Sequence, residues 1–177
     1  MKNTYIQPET FIKLKELDRA LINETKNSLY DFIGINLRFN GFKYDEITPD
    51  DCIVFASTGT DGDHFAFDTK EGTIDNLEEA PILFIQPTDS ETPVKLVAKN
   101  IKDLFSIFLK LKEFYVLERF DWYESEEDYI NDYNTNYKED IEERNKELNY
   151  ISNRLTQELN ISEIDNVFTY IKEIRER

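Results

Sequence analysis

Cysteine, histidine and tryptophan occur once each in this chain, as Cys52, His64 and Trp122. A single cysteine excludes an internal disulfide framework, and one cysteine with one histidine excludes a Cys-rich zinc site. No apolar run approaches the roughly 20 residues that span a bilayer. The N-terminal stretch MKNTYIQPETFIKLKELDRALI has no uninterrupted apolar segment of the kind a signal peptide carries. Phosphate-cradling glycine patterns are missing, and neither Ser28 nor Ser57 has the elbow context of a hydrolase nucleophile. Basic side chains are scarce, 21 against 37 acidic, for a formal net charge of −16. That charge repels nucleic acid and anionic membranes and attracts basic proteins. The expectation is a cytoplasmic protein without cofactor or resident metal and with no direct contact to nucleic acid or membrane.

What is present argues for a packed α+β chain. Hydrophobic residues make up 40% and aromatics 14%, too many for disorder. Pro8 and Glu9 suit the first turn of a helix. Phe11, Leu14, Leu17 and Leu21 continue it at helical spacing until it fades near Asn23 to Asn27. The middle reads as strands: GINLRFNGF with an Asn40-Gly41 turn, DDCIVFAS, DHFAFDT, APILFIQP and PVKLVA. Short connections favour antiparallel pairing, in a sheet of about four to six strands. EGTIDNLEEA has room for a helical turn. Asn100, with Asp103 three residues on, caps a helix from about Ile101 to about Phe114.

Residues 119–177 read as a helical extension on a core of residues 1–118, the whole forming one domain. Ser125 and Asp128 have capping-box spacing. From there Ile130, Tyr133, Tyr137, Ile141, Leu148, Ile151, Leu155 and Leu159 predict one long amphipathic helix, interrupted in its stripe only by Arg144. A second helix, with Ser162 as cap and Ile164, Val167, Phe168, Ile171 and Ile174 as its stripe, closes a hairpin around Asn160.

Two stretches carry candidate function. In STGTDGDHFAFDT, three aspartates and the histidine crowd beside two glycines. Asp61, Asp63, His64 and Asp68 are the oxygen and nitrogen donors a metal-dependent hydrolase would need. The spacing does not fit a calcium-hand loop, and the simpler reading of Gly59, Asp61, Gly62, Asp63 and His64 is the turn of a β-hairpin. In ERFDWYESEEDYINDYN, acids interleave with aromatics. Trp122 and Tyr123 are candidate anchors for a basic protein partner, with Glu118, Asp121, Glu124, Glu126, Glu127 and Asp128 as its counter-charges. The same aromatics can also be core residues beneath a solvated acidic rim. A third reading is a scaffold that self-associates through the long helix.

GTDGDHFAFDTKEGTI resembles the core hairpin of the SUKH superfamily, which includes the yeast cell-wall assembly regulator and many bacterial toxin-immunity proteins. Gly62, Asp63, Phe65, Asp68, Gly72 and Ile74 fall near its pattern, with His64 at the first aromatic position. APILFIQP and VKLVAKNIKDLFSIFL extend the resemblance, which covers roughly Asp51 to Lys110. The Leu-Pro and Tyr-Lys pairs that usually precede the sheet have no counterpart in NSLYDFIGINLRF, and the C-terminal helices lie outside the match. The resemblance implies a non-enzymatic α+β domain that binds a protein, typically a cognate toxin and often a nuclease.

Overall fold

The computed structural model describes residues 4–176. Seven helices and five strands follow in the order α1 (Glu9–Thr25), α2 (Leu29–Ile33), β1 (Asn36–Leu37), β2 (Cys52–Ser57), β3 (His64–Asp68), β4 (Ile82–Ile85), β5 (Val94–Ala98), α3 (Ile101–Leu111), α4 (Glu126–Asn136), α5 (Lys138–Glu143), α6 (Asn145–Leu159) and α7 (Val167–Arg175). Two 3-10 helices, Leu77–Glu79 and Phe114–Arg119, lie between them. The architecture is α+β, as expected: one open, wholly antiparallel sheet in the order β1-β2-β3-β4-β5, preceded by helices and followed by more.

The sheet is covered on both faces, which is why all of His64, Phe65, Ala66 and Phe67 are buried and β3 shows no polar alternation. Phe55, Phe65, Phe67 and Phe84 enter the main core with α1, α3 and α6, whereas Cys52, Val54, Ala66, Leu83 and Ile85 form a smaller cluster backed by Ile47 and Leu96. Each fully buried phenyl contributes on the order of 2–3 kcal/mol of transfer free energy.

The long helix expected from Ser125 to Leu159 is instead three segments. The chain leaves helical geometry at Tyr137 (φ −126°, ψ −33°) and Arg144 (φ −94°, ψ 13°). Asn131, Asp132, Asn134, Thr135 and Asn136 are weak helix formers, so little local energy resists a departure from helical dihedrals. Tertiary bonds favour it: Tyr133 donates its hydroxyl to Leu111 O at 2.8 Å, and Arg144 Nη2 donates to Phe32 O at 2.8 Å. The final helix also starts later than expected. Asn166, not Ser162, caps it by accepting from Thr169 N at 2.9 Å, while residues 161–166 run along α3 with Ile164 N donating to Ser106 O at 3.3 Å.

Two elements went unread in the sequence. The short helix α2 has a full capping box between Ser28 and Asp31, and the 3-10 helix Phe114–Arg119 stands where α3 was expected to end. The strand expected across GINLRFNGF shrinks to Asn36–Leu37: Asn40 (φ 53°) interrupts the extended backbone, while Arg38 N and Gly41 N still donate to Phe55 O and Val54 O of β2 at 2.8 and 3.1 Å. The helical turn expected in EGTIDNLEEA is the Leu77–Glu79 element, and its Glu78 reaches back to cap α1 by accepting from Thr10 N at 3.0 Å.

The C-terminal helices share the main core: Leu148, Ile151, Leu155 and Leu159 of α6, with Val167 and Ile171 of α7, are buried within it. Arg154 of α6 pairs with Glu24 of α1 at 2.6 Å. Arg175 of α7 donates its Nε–H to Leu96 O on β5 at 3.0 Å, which blunts the edge of the sheet.

Candidate functional site

The loop from Thr58 to Asp63 joins β2 to β3 in an antiparallel hairpin, with Ser57 opposite His64. Gly59, Asp61 and Gly62 take positive φ angles of 73°, 51° and 80°. Thr58 N closes the turn on Asp63 O at 3.0 Å. His64 is the first residue of β3 and is fully engaged. Its Nδ1 lies 2.7 Å from Gly62 O, a carbonyl that only accepts, so Nδ1 carries the proton. Its Nε2 then accepts from Thr48 Oγ1 at 3.0 Å, and that hydroxyl accepts from Tyr44 N at 2.9 Å. The Tyr44 ring stacks on the imidazole at 5.9 Å. Burial holds the His64 pKa below its ordinary value.

Asp63 points elsewhere. Its Oδ2 accepts from Gln86 Nε2 and Tyr115 Oη, both at 3.2 Å, and its Oδ1 is buried without a hydrogen bond. Burial raises its pKa. Gln86 Nε2 also donates to Glu118 Oε2 at 2.9 Å, linking the hairpin turn to the Phe114–Arg119 element. Asp61 is exposed at the tip of the turn. Asp68 sits at the far end of β3, paired with Lys70 at 2.8 Å. The four donors of the hydrolase reading are therefore not brought to one point.

Among the described residues, one set of potential metal ligands does converge: atoms of Asp51, Cys52 and Asp68 within 4.8 Å of one another. Each is already committed. Asp51 Oδ2 accepts from Glu71 N at 2.7 Å, Asp68 holds Lys70, and burial together with the two carboxylates pushes the Cys52 thiol up to about 12. A thiol held protonated is a poor ligand and a poor nucleophile.

The acidic, aromatic segment is sorted by the structure into inward and outward side chains. Phe120 and Tyr123 are buried, and Tyr123 donates its hydroxyl to Asp132. Tyr123 was expected to stand beside Trp122 as an anchor, and it is a core residue instead. Phe120, Tyr129, Tyr133 and Tyr137 form a chain of neighbouring rings 5.4 to 6.2 Å apart along α4. Trp122 faces solvent and is 67% exposed. It is nonetheless held: its backbone N–H donates to Arg119 O at 2.9 Å, and the Arg119 guanidinium lies 5.5 Å from its ring centre.

Arg119 is the organising residue of this surface, and the sequence reading passed over it. Its guanidinium also lies 5.3 Å from the Tyr137 ring and donates to Asp132 Oδ1 at 2.8 Å, with Nε 3.8 Å from Glu118. Several of the candidate counter-charges are likewise occupied within the chain. Asp121 takes Arg175 at 2.7 Å. Asp128 Oδ2 accepts from Ser125 N at 2.9 Å, and Glu126 accepts from Asn166 at 2.7 Å. Glu124 and Glu127 are exposed.

No helix among the described residues is long and apolar enough to cross a membrane. No family model, curated protein or solved structure matches the chain.

Proposed function

We propose that this chain is a non-enzymatic protein-binding module that captures a basic protein through the surface around Trp122. The observation that carries this reading is an exposed tryptophan, two-thirds in solvent, pinned by Arg119 on a surface of excess negative charge. Large aromatics already held in place are what interfaces use as anchors, because little side-chain entropy remains to be lost on binding. Glu124 and Glu127 supply long-range attraction, and the net charge of −16 accelerates encounter with a cationic partner.

The SUKH-like pattern between Asp51 and Lys110 supports a narrower form: a bacterial immunity-type inhibitor, acting in the cytoplasm, that covers the basic face of a toxin such as a nuclease. A side chain placed to satisfy a substrate-binding surface blocks it without any chemistry of its own, and the acidic charge stands in for the phosphates of a nucleic acid.

The test is affinity capture of the tagged protein from the lysate of its native host, at low and at high salt, for wild type and Trp122→Ala. One basic protein retained near stoichiometry by wild type and lost by the variant is the expected result. A partner retained equally by both places the interface elsewhere.

A further inference from the structure

We infer that the exposed part of Trp122 is a subsite for an arginine side chain of the basic partner, in preference to lysine. This rests on the protein-binding reading above and adds the chemistry that the partner must present. The argument starts from how the chain treats its own arginine. Arg119 has its guanidinium against two aromatic rings, Trp122 at 5.5 Å and Tyr137 at 5.3 Å, and is neutralised by Asp132 at 2.8 Å. The planar, weakly hydrated guanidinium suits this setting, since it can stack on a ring and still direct its N–H groups in plane at a carboxylate. An ammonium group has no plane to stack and gives up more hydration on approach.

Arg119 lies against Trp122, and the residue is still 67% exposed. An incoming cation is not repelled by Arg119, whose charge is balanced by Asp132 and by Glu118 at 3.8 Å. From Glu118 to Asp132 the segment holds seven carboxylates against that single basic residue. A second guanidinium laid on the exposed part of the indole therefore meets the negative face of an aromatic quadrupole and surrounding negative charge. Exposed Glu124 and Glu127 lie two and five positions along the chain.

The test uses the full chain and two probes of equal charge, hexa-arginine and hexa-lysine peptides, at about 0.15 M salt, where long-range charge effects are largely screened. Trp122 is the sole tryptophan, so its fluorescence reports directly on the subsite, and calorimetry gives affinities for the variant that lacks it. The expected result is that hexa-arginine changes Trp122 emission and binds about tenfold more tightly than hexa-lysine. In Trp122→Ala, which removes an exposed side chain, the arginine peptide falls to the level of the lysine peptide. Equal affinity of the two peptides for wild type overturns the arginine subsite while leaving the protein-binding reading intact if Trp122→Ala still abolishes capture from lysate. An arginine preference that survives Trp122→Ala overturns it as well, since the selectivity then resides elsewhere. Binding of neither peptide also overturns it.

Discussion

Trp122 and Tyr123 are neighbours in the chain and opposites in the fold: the indole is 67% exposed, and the phenol is 5% exposed with its hydroxyl on Asp132. One residue belongs to a surface and the next to the core that supports it. Substitutions at the two positions should therefore separate binding from stability.

Trp122→Ala should change unfolding free energy by less than about 1 kcal/mol, because its losses are a surface ring and a partly solvated cation–π contact. It should weaken binding to the captured partner by roughly 2 kcal/mol or more. Tyr123→Ala should cost about 3 kcal/mol of stability, the range for an aromatic removed from a core. Urea denaturation of both variants beside a binding isotherm checks this. A Tyr123→Ala protein as stable as wild type would contradict its place in the core.

Gly62 and Gly34 provide a matched pair. Both take positive φ, 80° and 78°, but a β-carbon at Gly62 collides with the Tyr44 hydroxyl and ring, whereas nothing lies within 4 Å at Gly34. Gly34→Ala should therefore cost about 1 kcal/mol for backbone conformation alone. Gly62→Ala should cost more, because Tyr44 must leave its stack on His64. Comparing denaturation midpoints of the two variants measures the contact separately from the backbone term.

His64 makes the fold sensitive to mild acid. Its folded pKa lies below the ordinary 6.5, so in the window beneath that value the unfolded chain binds more protons, and stability falls as pH drops. Protonation puts a second N–H where Nε2 now accepts from Thr48. Wild type should lose stability relative to His64→Gln between about pH 7 and pH 5.5. A difference that stays constant over that range would mean that the imidazole is not buried in neutral form.

Asp63 should act with the opposite sign. Its folded pKa is raised, so above the ordinary carboxylate value the folded state holds its proton longer than the unfolded chain does. The contribution of this group to stability therefore declines as pH rises through that window. Asp63→Asn removes the titration and keeps an acceptor for Tyr115 and Gln86. Measured by urea unfolding, the stability of Asp63→Asn relative to wild type should move in the variant's favour as pH is raised from about 4 to 7. A relative stability that is flat with pH would show that Asp63 ionises in the fold as freely as in the unfolded chain.

Much of the framework is written locally. Leu14, Leu17 and Leu21 announce α1 by spacing, and Asn100 and Ser125 announce the helix starts that they do cap. The hairpin turn at Gly59–Gly62 follows from residues that tolerate positive φ. The signal for α2 was equally present, since Ser28 and Asp31 have the same spacing as Ser125 and Asp128, but in a five-residue helix Leu29, Phe32 and Ile33 give only a single turn of apolar spacing to reinforce it.

Sequence alone determined the α+β character, the antiparallel pairing and the acidic charge, because these depend on periodicity, short connections and composition. Tertiary structure decided which way each aromatic faces and where the long helical stripe is divided. Tyr123 and Trp122 are chemically alike at the level of pattern; packing of Tyr123 against Phe120 and Tyr129, with its hydroxyl on Asp132, places one inward, while Trp122 stays in water beside Arg119. Tyr137 and Arg144 likewise carry no helix-breaking chemistry of their own. Helical dihedrals are lost at them where Tyr133 and Arg144 bond to Leu111 and Phe32, distant in sequence, against only a small local preference for regular helix.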